Sequence, residues 1–306
     1  MKTTNSAKVA PVARRTRAQS FGAQLGRYAF RLLSGFAPRT AGRRAADAFS
    51  FTRGYGLSVS DRTPLGAKTM SIHGNADIDR AYYWEGGTTR ALLVHGWGTD
   101  SSSMLGFVKP MQTLGFSVAA FDAPAHGLAP GKHTTMAQFT RATGAVLDAI
   151  EGAQVVIAHS LGSIAAISAL AERSRPASLR CIVLIAPTCT LTGVLERWAS
   201  RDMALPPPVV ERIYAELLAR NGVPVSHWDI KARGPSLEVP VLVVHDPADR
   251  MVPYCEAQSA VASLPDATLW PATGAGHVRI LSDARVRERV HEFVMRHASD
   301  IEERVR

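Results

Sequence analysis

The stretch that most constrains this 306-residue chain is Ala158-His159-Ser160-Leu161-Gly162. Before it, residues 153–158 (AQVVIA) form a short β-branched run of the kind that fills a strand buried on both faces. Behind it, Leu161, Ile164, Ala165, Ile167, Ser168 and Leu170 set apolar and small residues at helical spacing. A strand that passes at once into a helix needs a tight, strained corner, and small residues beside Ser160 leave room for one. Such a corner lifts one side chain above the end of a sheet. Alanine stands at 158, one methyl larger than the glycine that would give most room. A serine-rich helix N-terminus is the other reading of these five residues, and what separates the two is whether a base, an acid and oxyanion donors follow.

Around this corner, strand and helix patterns alternate. Strands are expected at 72–74, 80–84, 90–94, 116–121, 153–158, 179–186, 239–245 and 267–270. Helices are expected at 101–114, 135–150, from Leu161 onward, at 254–263 and at 282–297, with Gly115 and Gly152 as stops. This order predicts an α/β fold: a mostly parallel sheet with helices on both faces. Right-handed crossovers bring the C-terminal ends of parallel strands to one edge, and His95, Asp122 and Ser160 all fall at such ends. Asp246 and Asp249 lie in the loop after 239–245, and His277 lies in Gly274-Ala275-Gly276-His277 after the last strand.

Residues 187–238 interrupt the alternation with two helical patterns. One carries Leu191, Val194, Leu195 and Trp198; the other carries Val209, Val210, Ile213, Tyr214, Leu217 and Leu218, starts after Pro206-Pro207-Pro208 and stops at Asn221-Gly222. A helical cap insertion over the functional edge is expected, with Leu195, Trp198 and Tyr214 as substrate-contact candidates. Few charges share these faces, which points to apolar groups as the preferred ligand.

The net charge of +9 suggests nucleic acid until it is divided along the chain. Residues 1–60 hold eleven Lys and Arg against the single acid Asp47, whereas residues 61–306 hold 24 bases and 25 acids. The body is neutral, so a nucleic-acid partner is not expected, and the basic arm points to an anionic surface instead. Two regions follow: an arm at 1–60 and a body at 61–306. Residues 1–18 lack periodicity and are expected to be disordered. Phe21, Leu25, Tyr28, Leu32 and Phe36 recur at three- and four-residue steps with Arg27 and Arg31 between them, an amphipathic helix, and a weaker helix is expected at 41–51. These helices either dock their apolar faces on the body or make a peripheral membrane contact. The Arg-rich, acid-poor start also resembles an organelle transit peptide. With no run of about 18 apolar residues and no secretory apolar segment, neither a transmembrane helix nor a signal peptide is expected. Cys181, Cys189 and Cys255 have no metal-ligand spacing and read as free thiols in a reducing, cytoplasmic compartment.

Five segments together carry a resemblance: His95-Gly96-Trp97-Gly98, the run FDAPAHG at 121–127, AHSLG at 158–162, HDPADRMVP at 245–253 and GAGH at 274–277. From about residue 65 to 298 the chain resembles the α/β hydrolase fold family, and within it the bacterial hydrolases with HS-x-G at the corner and G-x-GH-x-RIL at the histidine. The order Ser160, Asp249, His277 is the triad order of that family. The resemblance implies Ser160 as nucleophile, His277 as its base and Asp249 as the acid orienting the imidazole, with backbone N–H groups of Trp97 and Leu161 as the oxyanion hole. Asp246 is the rival acid, standing where the family usually has glycine. His95, Asp122 and His126 are expected to brace loops. The chain departs from the pattern at Ala158 and at Ala125, each a methyl larger than the family's glycine. What the resemblance implies is hydrolysis of a small-molecule ester or thioester through an acyl-Ser160 intermediate, with no metal or cofactor. Thioesterase, peptidase, carbon-carbon hydrolase and acyltransferase chemistry use the same triad. A serine argues against epoxide hydrolase and dehalogenase chemistry, which need an aspartate nucleophile. A non-enzymatic binding or scaffold protein on the same fold is the other class, and the intact triad favours the enzyme.

Overall fold

The uninterrupted aliphatic runs become the centre of one eight-stranded sheet. A computed structural model describes residues 28, 30, 32–52, 62–173 and 178–298. The strands are β1 (Lys68–Ser71), β2 (Arg80–Trp84), β3 (Thr89–Val94), β4 (Phe116–Ala120), β5 (Val155–His159), β6 (Cys181–Ile185), β7 (Val241–His245) and β8 (Ala267–Pro271). Their spatial order is β1-β2-β4-β3-β5-β6-β7-β8. Strand β2 runs antiparallel to β1 and β4, and every pairing from β4 through β3 to β8 is parallel. Every residue of β4, β5, β6 and β7 is buried, which is why these segments carry no polar alternation.

Helices cover both faces. One core layer is built from α3 (Met136–Ala149), α4 (Gly162–Ala171) and α8 (Tyr254–Ala262); the opposite layer is built from a 3-10 helix at Ser101–Phe107, α2 (Val108–Thr113) and α9 (Ala284–Ala298). The start of α3 is fixed by a capping box, in which Thr135 Oγ1 accepts from Gln138 N and Gln138 Oε1 accepts from Thr135 N. Between β6 and β7 the chain forms α5 (Leu191–Arg197), a π turn at Trp198–Asp202, α6 (Pro207–Asn221) and α7 (Ile230–Arg233). Gly222, at φ +73°, ends α6 where the Asn-Gly pair predicts a stop.

Two elements differ from the sequence expectation. The strand expected at 72–74 lies at Lys68–Ser71 instead; Ile72 N donates to Asp79 O, and Gly74 takes φ +74°, so 72–79 is the turn. The segment Lys-Thr-Met-Ser carries too few apolar residues to stand out. The helix expected at 101–114 begins as a 3-10 turn because Asp100 O accepts from both Ser103 N and Ser103 Oγ, an i to i+3 grip that tightens the first turns.

In the arm, the weaker expected helix is α1 (Pro38–Ser50), and it docks on the body. Ala41, Gly42, Ala45 and Ala46 are buried, chiefly against α6; Gly42 is required because a Cβ there would collide with Arg212. Residues 32–36 are also helical, and of the two readings of the apolar stripe, docking or membrane contact, its described members do not dock: Tyr28, Leu32 and Phe36 are 65%, 66% and 90% exposed. Phe30 and Leu33 pack on the core instead. Phe21, Leu25 and the stretch 1–18 lie outside the described residues. Cys181, Cys189 and Cys255 are all free thiols. No helix among the described residues is long and apolar enough to cross a membrane.

Candidate active site

Residue Ser160 is reached by β5 and left by α4, and the corner between them holds it at φ +52°. A left-handed serine costs roughly 1–2 kcal/mol, which the fold must offset. It does so with a backbone grip on both sides: Ser160 N donates to Ile185 O of β6, and Ser160 O accepts from Ser163 N. Two glycines let neighbouring backbone close in. A Cβ on Gly162 would collide with His95 O, and a Cβ on Gly96 would lie 2.8 Å from His159 Nδ1 and 3.1 Å from Ser160 Cβ. Ala158, by contrast, sits in regular β5 pairing opposite Val94 and Leu184, so its extra methyl is simply core. Ala125 does bear a cost, at φ +65°.

The loop after β7 and the loop after β8 meet at this corner. His277 Nδ1 is 2.7 Å from Asp249 Oδ2, and His277 Nε2 is 3.0 Å from Ser160 Oγ. Because an ionised carboxylate only accepts, Nδ1–H donates to Asp249, leaving Nε2 to accept the Ser160 hydroxyl proton. Ser160 and His277 are 8% and 9% exposed, so the relay is nearly closed to water. Burial pushes the Asp249 carboxyl upward, but hydrogen bonds from His245, His277 and the Val252 N–H outweigh it and hold Asp249 well below the usual carboxylate range.

Asp246 has a different task. Its carboxylate accepts from Ala248 N (3.0 Å), Gly274 N (3.2 Å) and Gly276 N (2.6 Å), fastening the histidine loop from below. His95 is wholly buried: its Nδ1 donates to Gly96 O at 2.7 Å, and its Nε2 accepts from Ala123 N at 2.9 Å. Burial lowers its pKa, keeping it neutral. Asp122 accepts from Ser101 N, Ser101 Oγ, Tyr82 OH and Leu128 N, and His126 Nδ1 donates to Pro124 O. All three residues pin the strand-end loops. Among the described residues, none accepts a hydrogen bond from the backbone N–H of Trp97 or Leu161.

The sequence reading passed over His159. Its Nε2–H donates to His277 O at 3.0 Å, and the two rings stand 5.0 Å apart. Burial first, and then the neighbouring His277, depress its pKa to about 3, so it stays a neutral donor holding the loop that carries His277. The signal was present in the sequence, as a large polar residue on a strand otherwise wholly apolar.

Beside Leu161, the residue after Ser160, lies a small, mostly apolar cavity. Trp97 and Leu161 line it, as do Leu191 and Val194 of α5, Leu217 of α6, and Phe49 of α1. None of the three expected substrate contacts lines this cavity. Leu195 is wholly buried in the core, Trp198 packs on Phe49 with ring centroids 5.3 Å apart, and Tyr214 lines a separate outer groove with Glu196 and Glu211. Helical periodicity identifies the apolar stripe of α5 but cannot say which flank meets the core; the cavity takes Leu191 and Val194, and the core takes Leu195.

An eight-stranded, mostly parallel sheet with a serine at a positive-φ strand-to-helix corner and a histidine-carboxylate pair beside it is the architecture of an α/β hydrolase. The model of the alpha/beta hydrolase family matches residues 91–289, and the chain belongs to that family. Among solved structures, an esterase from Pyrococcus furiosus is 22% identical with a TM-score of 0.56, covering 76% of this chain and 91% of its own. Est1E from Butyrivibrio proteoclasticus, solved with ferulic acid bound, is 16% identical with a TM-score of 0.61, covering 76% of this chain and 100% of its own. A monoacylglycerol lipase from Paleococcus ferrophilus is 22% identical with a TM-score of 0.52, covering 71% of this chain and 97% of its own. No curated protein matches the chain.

Proposed function

We propose that this α/β hydrolase cleaves a carboxylic ester or thioester with an apolar acyl group through an acyl-Ser160 intermediate. The observation that carries the reading is the continuous relay Asp249–His277–Ser160 at 2.7 and 3.0 Å, ending on a serine held at positive φ. Ser160 Oγ attacks the acyl carbon while its proton passes to His277 Nε2, and the Asp249 carboxylate stabilises the imidazolium that results. The carbonyl oxygen takes up the negative charge and is met by the N–H groups of Trp97 and Leu161. As the tetrahedral adduct collapses, the carbon–oxygen or carbon–sulfur bond breaks and His277 returns the proton to the leaving alkoxide or thiolate. Water then attacks the acyl-Ser160 ester with His277 again as base, releasing the acid and restoring the hydroxyl. The test is turnover of a nitrophenyl ester by wild type and by Ser160→Ala and His277→Ala. Since a triad acts as a unit, each variant should lose on the order of 10⁴-fold or more in kcat while keeping its melting temperature. A folded wild type without turnover of any ester or thioester would favour a binding protein on a hydrolase fold.

A further inference from the structure

The loop after β3 passes Ser160 on a residue that cannot fix its own backbone. A Cβ on Gly96 would lie 2.8 Å from His159 Nδ1 and 3.1 Å from Ser160 Cβ, so glycine is required there. The same lack of a side chain leaves the Gly96 backbone free to turn, and with it the plane of the Gly96–Trp97 peptide. That peptide is trans, so its C=O and N–H point in opposite directions. Whatever holds Gly96 O therefore decides where the Trp97 N–H is aimed. Three donors hold it: His95 Nδ1–H at 2.7 Å, the Thr99 hydroxyl at 2.8 Å and Thr99 N–H at 3.3 Å. The last of these closes a four-residue turn whose third residue, Gly98, takes φ +74°, as a type II turn needs. The two short bonds occupy both lone pairs of the carbonyl oxygen. His95 and Thr99 are both buried, so water does not compete for that oxygen. Each donor is anchored in turn. His95 Nε2 accepts from Ala123 N, and Thr99 leads straight into Asp100, whose carboxylate caps the 3-10 helix by accepting from Ser102 N.

We infer that Thr99 is a positioning residue for the oxyanion hole: its hydroxyl, together with His95, holds Gly96 O away from the reacting centre and so keeps the Trp97 N–H turned towards it. The inference rests on the hydrolase reading above. His95 serves two loops, since it also receives Ala123 N, whereas the one proton of the Thr99 hydroxyl is spent on Gly96 O alone. Thr99 never touches the substrate; it acts through the peptide it orients. The effect belongs to the transition state, because the carbonyl oxygen of a bound ester is close to neutral and takes up full charge only as the tetrahedral adduct forms. Acylation and deacylation both pass through such an oxyanion, so loosening the peptide lowers kcat whichever step limits it, and leaves KM nearly unchanged.

The test compares full-length wild type with Thr99→Val, which removes the hydroxyl at nearly constant volume, and Thr99→Ser, which keeps it. Loss of one oxyanion donor outright costs about 10²- to 10³-fold in kcat, and Thr99→Val removes one of the three tethers that aim such a donor, so its kcat on a nitrophenyl ester should fall by about tenfold. KM should stay within about twofold, and Thr99→Ser should restore kcat to near the wild-type value. A trifluoromethyl ketone, which adds to Ser160 Oγ as a tetrahedral oxyanion, should bind Thr99→Val about tenfold more weakly than wild type. Should Thr99→Val fail to fold, Thr99→Ala set against Thr99→Ser gives the same comparison. A folded Thr99→Val with wild-type kcat and ketone affinity, or equal losses in Thr99→Val and Thr99→Ser, overturns the inference and leaves the hydrolase reading intact. Wild-type protein that neither turns over esters nor takes a fluorophosphonate on Ser160 would instead overturn the hydrolase reading.

Discussion

Asp249 and Asp246 stand three residues apart in one loop, yet hydrogen bonding divides their labour. Asp249 meets the His277 ring, whereas Asp246 meets only backbone N–H groups. Asp249→Asn would favour the wrong imidazole tautomer and should cut kcat by about 10³- to 10⁴-fold at little cost in stability. Asp246→Asn weakens the fastening of the histidine loop; it should lower stability by about 1–2 kcal/mol and leave kcat within about tenfold. Parallel kinetics and urea melts check this, and the opposite ranking would make Asp246 the acid. His159 supplies a pH prediction. Its folded pKa is depressed to about 3 from an ordinary 6.5, so below pH 6.5 the unfolded chain takes up a proton that the folded one refuses. Stability is therefore full above pH 6.5 and falls towards pH 3 by at most about 1.4 kcal/mol per unit from this group. Urea midpoints at pH 7 and pH 5 should show a drop in wild type that is smaller in His159→Asn; equal drops would remove His159 as a source.

At the scale of elements, the helices that position the site depend on close backbone approaches. Gly162→Ala would push α4 away from His95 O, so it should cost stability and lose most ester turnover, read by melting temperature and kcat together. Gly42→Leu would separate α1 from α6 and should cost about 1–3 kcal/mol, whereas breaking the partly exposed Asp47–Arg220 pair with Asp47→Asn should cost about 1 kcal/mol or less. The apolar runs of the buried parallel strands and the loop glycines made the sheet and its functional edge legible, because buried parallel strands must be continuously apolar and because strand ends must converge. The ring-to-ring contacts were not legible. Whether the α5 stripe packs on the core or opens on a cavity depends on where Phe49 lies, more than 140 residues earlier in the chain, and no local pattern records that. The same holds for β1, whose four residues owe their strand conformation to pairing with β2.

For the molecule as a whole, charge and structure divide at different places. Basic charge is concentrated in residues 1–60, but residues 38–52 are packed into the body and wall the cavity. Before Ala37 the arm is divided, with Phe30 and Leu33 packed on the core and other side chains left for partners. Tyr28, Leu32 and Phe36 are exposed there in a strongly basic region, and each basic residue near an anionic leaflet contributes about 1 kcal/mol. Full-length protein should therefore sediment with anionic vesicles at low salt and be released by high salt, and a chain beginning at Ala37 should stay in the supernatant, folded and active. Sedimentation of both with neutral vesicles would contradict an electrostatic role for the arm. The relay itself is tested most directly by intact-mass analysis of the full-length protein after exposure to a fluorophosphonate. A single adduct on Ser160, abolished in Ser160→Ala and formed far more slowly in His277→Ala, is the expected result; folded wild-type protein that remains unmodified, or an adduct on any other residue, would contradict it.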